Sequence, residues 1–391
     1  MKVTKPEILI KTIYRKYYEQ FKPEKVEGLK AREWAYIPFS EDSETMVRHI
    51  GVKNYAELKN LLMEKVPKNV YYSSAYYINP GASKMEEKGW IGADLVFDID
   101  ADHIPWAKGK KYDEMLEIAK KEMIHLIENF IISDFGFDEG SLKITFSGGR
   151  GYHLRITDYE IRRLSANARK EIADYLYGSD IDVKILISHI ESGIYTNFGW
   201  PKKIHDFLAK AYMEYPNTES WILKKFRERG TEISEDEVKA IAAYAEYIHS
   251  PRISKRGIRS VSSSDKVKAI EALVRYFHVE IDKVVTGDSK RLIRYPSSLH
   301  GKTGFFVKKL RSVDVLEEFN PLEDAVVLPS KEVKVLIKSL DTGSPVINAI
   351  NGIRIKDYEV KITEGVHSMP LYAMVFIHGL TRAISSVMIW A

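Results

Sequence analysis

The run Ala93–Asp102, ADLVFDIDAD, alternates with a period of two: Leu95, Phe97 and Ile99 fall on one side, and Asp94, Val96, Asp98, Asp100 and Asp102 on the other. A β-strand sends successive side chains to opposite faces, so one face packs and the other carries acid. A single aspartate at a strand end needs only water. Asp98 and Asp100 are different, because two carboxylates roughly 7 Å apart on one face repel each other unless a cation lies between them. Hard divalent ions such as Mg²⁺ or Mn²⁺ favour this all-oxygen setting and keep positions open for phosphate oxygens. A D-x-D pair occurs in many unrelated hydrolases and transferases, so the reading needs further groups.

Two clusters supply them. SLKITFSGGRGYHLRI, residues 141–156, sets Ser147, Gly148, Gly149, Arg150 and Gly151 in a turn between two strands, with His153 and Arg155 on one face of the second. Glycine permits positive φ and close backbone approach, so successive N–H groups can face an anion. A plain hairpin needs one or two glycines; an arginine amid three, with a histidine just beyond, suits a triphosphate. In VEIDKVVTGDSKRLIRYPSSLHGKTGF, residues 279–305, Asp282 is expected after an apolar strand, and Lys290, Arg291, Arg294, His300 and Lys302 follow at short intervals. The GKT at 301–303 is not a P-loop, which requires glycine five residues before Gly301, where Pro296 stands.

The elements that must position these groups follow from periodicity. Helices are expected at 4–21, 54–65 and 112–131, and strands at 31–40, 70–78, 91–102 and, as a pair, 141–156. From 157 to 270 the pattern turns helical, at 165–178, 203–213, 218–229 and 234–248, before strands resume around 278–286, 291–295 and 304–309. The end, MPLYAMVFIHGLTRAISSVMIWA, reads as a helix packed on the body. The chain is 391 residues long, 45% hydrophobic, without cysteine, and carries a net charge of +4. That supports a sizeable core and excludes disulfides, thiolate catalysis and cysteine-ligated metal. The charge favours nucleic acid only weakly. The apolar runs are shorter than the ~20 residues a membrane span needs, and no signal peptide is expected.

VFDIDAD, SGGRGYH and the group Asp282…RLIRYPSSLHGKTG, in this order with a helical block between the second and third, resemble the signature motifs of the archaeal and eukaryotic-type DNA primase catalytic (small) subunit. REWAY and YYSSAYY also fit, so the resemblance covers roughly residues 5–325. It implies an α+β fold: a primase-type catalytic domain on a small mixed sheet with an attached all-helical subdomain. It implies that Asp98, Asp100 and Asp282 hold two Mg²⁺ or Mn²⁺ ions, and that Ser147, Arg150, His153, Arg294, His300 and Lys302 bind the nucleotide triphosphate. Glu33 and Arg48 are weaker matches to site residues. The implied activity is template-dependent synthesis of short RNA primers, and DNA as a further product, on single-stranded DNA from NTPs or dNTPs. The implied partner is the large, iron–sulfur primase subunit, in a heterodimeric primosome that acts in DNA replication on the chromosome in the cytoplasm. The composition, rich in Lys, Glu, Ile and Tyr, is of the kind thermophiles favour, which points to an archaeal source.

The expected division is a catalytic body at 1–160 plus 270–325, a helical subdomain at 161–269, and a C-terminal tail at 326–391 on the body or at a partner interface. Archaeal relatives usually carry a Cys/His zinc knuckle shortly after the first motif. Here only the basic stretch Trp106–Lys111 stands there, so no structural zinc is expected. A phosphohydrolase or nuclease using the same aspartates would have little use for so many triphosphate-binding cations. A scaffold subunit would not need the aspartates at all. A repair-type or plasmid-encoded primase-polymerase of the same superfamily would share the chemistry and differ in its biology.

Overall fold

Leu95, Phe97 and Ile99 are each at most 1% exposed, and burying each such side chain stabilises the fold by about 1.5–3 kcal/mol. This anchors strand Leu95–Asp100 at the edge of a four-stranded sheet, in the order Lys308–Leu310, Leu142–Phe146, Gly151–Ile156, Leu95–Asp100. The structure is a computed structural model and describes residues 2–39, 45–193, 197–250, 261–338 and 343–389. Ser40, part of an expected strand, and Trp390 and Ala391 of the tail lie outside the described residues, as do 194–196 and 251–260 of the helical block.

The fold class is α+β. A second four-stranded sheet runs Leu292–Arg294, Asn69–Ser73, Trp34–Ile37, Val47–Ile50, and a third runs Lys2–Thr4, Ile384–Ile389, Glu332–Ile337, Gly365–Pro370. Every strand pairing among the described residues is antiparallel, which corrects the expectation of a mixed sheet. The reason lies in the order of the strands. Leu142–Phe146 and Gly151–Ile156 form a tight hairpin, and Leu95–Asp100 pairs with the second of them, antiparallel, instead of lying parallel beside the first.

Two unit bodies are separated by their internal packing. One comprises 1–124, 139–170 and 281–391; the other, helical, comprises 125–138 and 171–280. The helical unit includes Val183–Ser192 and Ser263–Phe277, which periodicity does not mark, alongside Gly199–Met213, Thr218–Arg229 and Glu235–His249. Local signals mark their ends: Ser234 and Glu237 form a reciprocal capping box, which satisfies N–H groups that a helix start leaves unpaired.

Two expectations in the catalytic body are corrected. The region 278–286 holds no strand; Asp282 instead caps the short helix Lys283–Gly287, its Oδ1 accepting from the Val284 and Val285 N–H groups at 2.9 and 3.1 Å. The valines suggested a strand, but aspartate is a strong N-cap and won locally. The C-terminal end is also not a single helix, since Leu371–Thr381 is followed by the strand Ile384–Ile389. Leu371, Val375, Phe376 and Ile377 are all less than 9% exposed, and Phe376 packs on Phe305 and Tyr112 at ring distances of 5.3 and 5.1 Å. Among the described residues, no helix is long and apolar enough to cross a membrane.

Candidate active site

Asp98 and His153 are direct cross-strand partners, with His153 Nε2 3.4 Å from Asp98 Oδ1. Asp100 follows on the same face, and its Oδ1 accepts from the Asp102 N–H at 3.0 Å. Asp282 is brought to this strand by its own backbone, whose N–H donates to the Asp98 carbonyl at 2.9 Å. The acid face is confined to this end of the strand. Asp94 and Val96, expected on it, are 1% and 2% exposed, and Asp94 is bonded to Arg32 at 2.6 Å with both side chains fully buried.

The electrostatics record the convergence. Burial pushes the Asp98 carboxyl up, and the charges of Asp100 and Asp282 push it the same way, against the pull of His153 and Arg291. Burial also lowers the His153 imidazole, with Arg294 and Arg291 adding to the effect and Asp98 and Asp100 opposing it. Three like charges crowd one strand end, and an all-oxygen donor set of this kind fits a hard divalent ion. As the side chains stand, no three acidic or imidazole groups among the described residues are gathered into a ligating cluster.

The SGGRG turn is built by close approach. Gly148 has φ of +81°, and a Cβ there would lie 2.6 Å from His300 Cβ; a Cβ on Gly151 would lie 2.1 Å from the Ile99 carbonyl oxygen. Neither position tolerates a side chain, so these glycines let the turn lie against the His300 loop and the Asp98 strand. The N–H groups are not all turned outward: Ser147 N–H bonds the Gly151 carbonyl at 3.0 Å and Gly149 N–H bonds Ser147 Oγ at 3.3 Å. Arg150 is ion-paired to Asp102.

His300 sits 8% exposed. Its imidazole is held well below the usual histidine range by burial and by the positive charges of Arg294, Lys302, Arg150 and Lys68. Lys302 itself is exposed. Arg155, expected on the same face as His153, is buried and bonded to the Tyr72 hydroxyl, so it belongs to the core. Glu33 and Arg48 do meet, at 3.1 Å, with Glu33 fully buried and also 3.5 Å from Lys88.

Sequence reasoning missed the residues that hold these groups. Thr303 closes the GKT that is not a P-loop, and its hydroxyl donates to the Gly148 carbonyl at 2.6 Å, accepts from the Phe305 N–H at 3.1 Å and lies 3.0 Å from His300 Nδ1. It joins the second and third motifs. Asn69 Oδ1 accepts from both Arg294 and the Gly301 N–H, the latter at 2.8 Å, and Tyr112 donates to the Gly149 carbonyl at 2.9 Å. Tyr14 donates to the His300 carbonyl at 2.8 Å. The bonds of Thr303 to Gly148, of Asn69 to Arg294 and Gly301, of Tyr112 to Gly149 and of Tyr14 to His300 join residues far apart along the chain, so no sequence signal marks them.

An acidic strand end, a glycine–arginine turn and a buried histidine near several cations are groups that a nucleotidyltransferase class of site would use. Residues 97–312 match the model of the DNA primase small subunit family. The chain is 32% identical to the DNA primase small subunit PriS of Methanosarcina mazei over 94% of both chains. It is 32% identical to that of Thermoplasma volcanium over 96% of both, and 34% identical to that of Methanocella arvoryzae over 93% of this chain and 94% of the other. The chain therefore belongs to the DNA primase small subunit family, which supplies the catalytic subunit of a DNA-directed nucleotidyltransferase.

Proposed function

We propose that this chain makes short RNA primers, and DNA from dNTPs, on single-stranded DNA, with Asp98, Asp100 and Asp282 holding two Mg²⁺ or Mn²⁺ ions. The observation that carries the reading is the fastening of Asp282 to Asp98 by the 2.9 Å backbone bond, together with the 2.6 Å bond of Thr303 to the Gly148 carbonyl that joins the basic third motif to the glycine–arginine turn. Carboxylates and phosphate-binding groups then belong to one unit body. Arg150, Arg294, His153, His300, Lys302 and Ser147 would bind the triphosphate through charge-assisted hydrogen bonds. Arg150 would exchange Asp102 for phosphate.

In the reaction, the 3′-hydroxyl oxygen attacks the α-phosphorus, the bond to pyrophosphate breaks and the hydroxyl proton leaves. The divalent ions, when bound, supply acidification of that hydroxyl and charge neutralisation of the leaving group. The protein supplies position and fixed positive charge. The natural partner in this reading is a large iron–sulfur subunit in a heterodimer, at work on the chromosome in the cytoplasm.

The test is nucleotide incorporation on primed and unprimed single-stranded DNA, with NTPs and dNTPs supplied separately and with Mg²⁺, Mn²⁺ or chelator. Template-dependent product that disappears with chelator, and in folded Asp98→Ala/Asp100→Ala protein, is expected. Substantial incorporation by that variant would overturn the metal assignment.

A further inference from the structure

The helical unit contains a cavity of about 390 Å³ that the nucleotidyl-transfer chemistry does not use. On helix Gly199–Met213, Lys202, Asp206 and Lys210 recur every fourth residue, so they share a face. Lys225 and Trp221 face the same space from helix Thr218–Arg229. The floor is aromatic: the Phe207 ring lies 5.1 Å from Trp221 and 5.0 Å from Tyr276.

The charges of the lining do not cancel. Four lysines, 202, 203, 210 and 225, meet two aspartates, 134 and 206. Asp134 is fully engaged: it accepts from the Gly199 N–H at 2.9 Å, from the Tyr175 hydroxyl at 2.8 Å, from the Ser133 hydroxyl at 3.0 Å and from Lys203. Its ion pair with Lys203 is nearly closed to solvent. Such a pair is weak evidence for stability, but it holds Lys203 at the wall. Asp206 is engaged by Lys202. The lining therefore holds two more ammonium groups than carboxylates, beside Trp221, over whose ring the Lys225 Nζ lies at 5.9 Å. The pair that Lys225 makes with Glu228 at 2.9 Å is half-exposed, and pairs of that kind are worth little and exchange readily. Lys210 is exposed.

We infer that this cavity binds a nucleotide unit of single-stranded nucleic acid, the base on the Trp221–Phe207 surface and the backbone phosphates on the lysines. Stacking on aromatic faces beside a basic track is how proteins hold single strands without reading sequence. A mononucleotide shares this chemistry. The strand is favoured because Lys202 and Lys210 are separated by a rise of about 12 Å along their helix, which suits successive phosphodiesters better than one compact phosphate group.

The experiment uses the full chain without divalent ion, so that it stands apart from turnover, and titrates in parallel a short oligothymidylate and dTTP at low salt. Binding is read by tryptophan fluorescence and by anisotropy of labelled oligonucleotide, in wild type, Trp221→Phe and Lys210→Glu/Lys225→Glu, with thermal melting as the check on folding. Expected are quenching by the oligonucleotide that is absent in Trp221→Phe, and affinity reduced about tenfold or more in the double variant. The salt dependence of log K should become shallower by about 1.4 in that variant, about 0.7 for each lysine withdrawn from a single-strand phosphate. The KM for nucleotide in primer extension should be unchanged. Wild-type oligonucleotide affinity in the folded double variant would overturn the inference. Equal Trp221-dependent quenching by dTTP would replace the strand with a mononucleotide.

Discussion

The backbone N–H of Asp282 donates to the carbonyl of Asp98 at 2.9 Å, so one acidic residue is hung directly on the strand that carries the other two. Asp282 also caps the helix that follows it. It therefore has two separable duties, and substitutions can split them.

Asp282→Asn keeps a good N-cap and removes the charge, whereas Asp282→Ala removes both. The asparagine variant should lose nucleotide incorporation at essentially wild-type stability, and the alanine variant should lose incorporation together with about 1 kcal/mol of stability. Urea denaturation alongside primer extension checks this; an active asparagine variant would mean that the charge of Asp282 is not needed.

Thr303→Val removes the hydroxyl that joins the Gly148 and His300 loops and leaves the buried Gly148 carbonyl without that donor. A loss of about 1–3 kcal/mol is expected for an unsatisfied buried group. The KM for nucleotide should rise more than kcat falls, as it should for Arg150→Ala and Arg294→Ala, and Thr303→Ser should restore it. A serine variant as impaired as valine would point to packing instead of the hydrogen bond.

Burial among cations holds the His300 imidazole well below its ordinary value of 6.5. The unfolded chain takes up a proton there near pH 6.5 and the folded chain does not, so this residue makes stability fall as pH drops below about 6.5, by at most ~1.4 kcal/mol per pH unit. Above that pH its contribution is constant. In His300→Gln, urea midpoints measured between pH 7.5 and pH 5.5 should decline less steeply than in wild type, and equal slopes would refute the assignment.

The ion pair of Arg32 with Asp94 is fully buried, and Asp94 also accepts from the Tyr76 hydroxyl at 2.9 Å. Asp94→Ala leaves the buried Arg32 charge without its carboxylate, although its other N–H groups keep the Glu27, Ser73 and Ser74 carbonyls, and should cost about 3–5 kcal/mol, seen as a large drop in the urea midpoint. A near-neutral change would show that the carbonyl acceptors of Arg32 suffice without the Asp94 charge.

A large iron–sulfur subunit added to this chain should form a stable heterodimer in size-exclusion chromatography and raise initiation more than extension. Initiation must order two nucleotides on a template without the help of an existing duplex, which carries the larger entropic cost. No association, or an equal rise in both activities, would refute the proposed division of labour.

The sequence by itself determined the residues that could do the chemistry and most of the elements that carry them. Asp98 and Asp100 were legible because a strand repeats every second residue, and Ser147–Gly151 because glycine-rich turns between strands are local events. Helices such as Thr218–Arg229 were legible from periodicity for the same reason. The tertiary structure alone decided what the period of two could not: that Asp94 is buried against Arg32 while Asp98 and Asp100 keep part of their surface open, since the alternation is identical at all three. It decided that Asp282 caps a helix, where local β-propensity pointed to a strand. It also decided that Thr303, Asn69 and Tyr112 hold the glycine–arginine turn and the His300 loop, because those hydrogen bonds join residues from separate parts of the chain, and a bond between distant residues leaves no period or spacing in the sequence to be read.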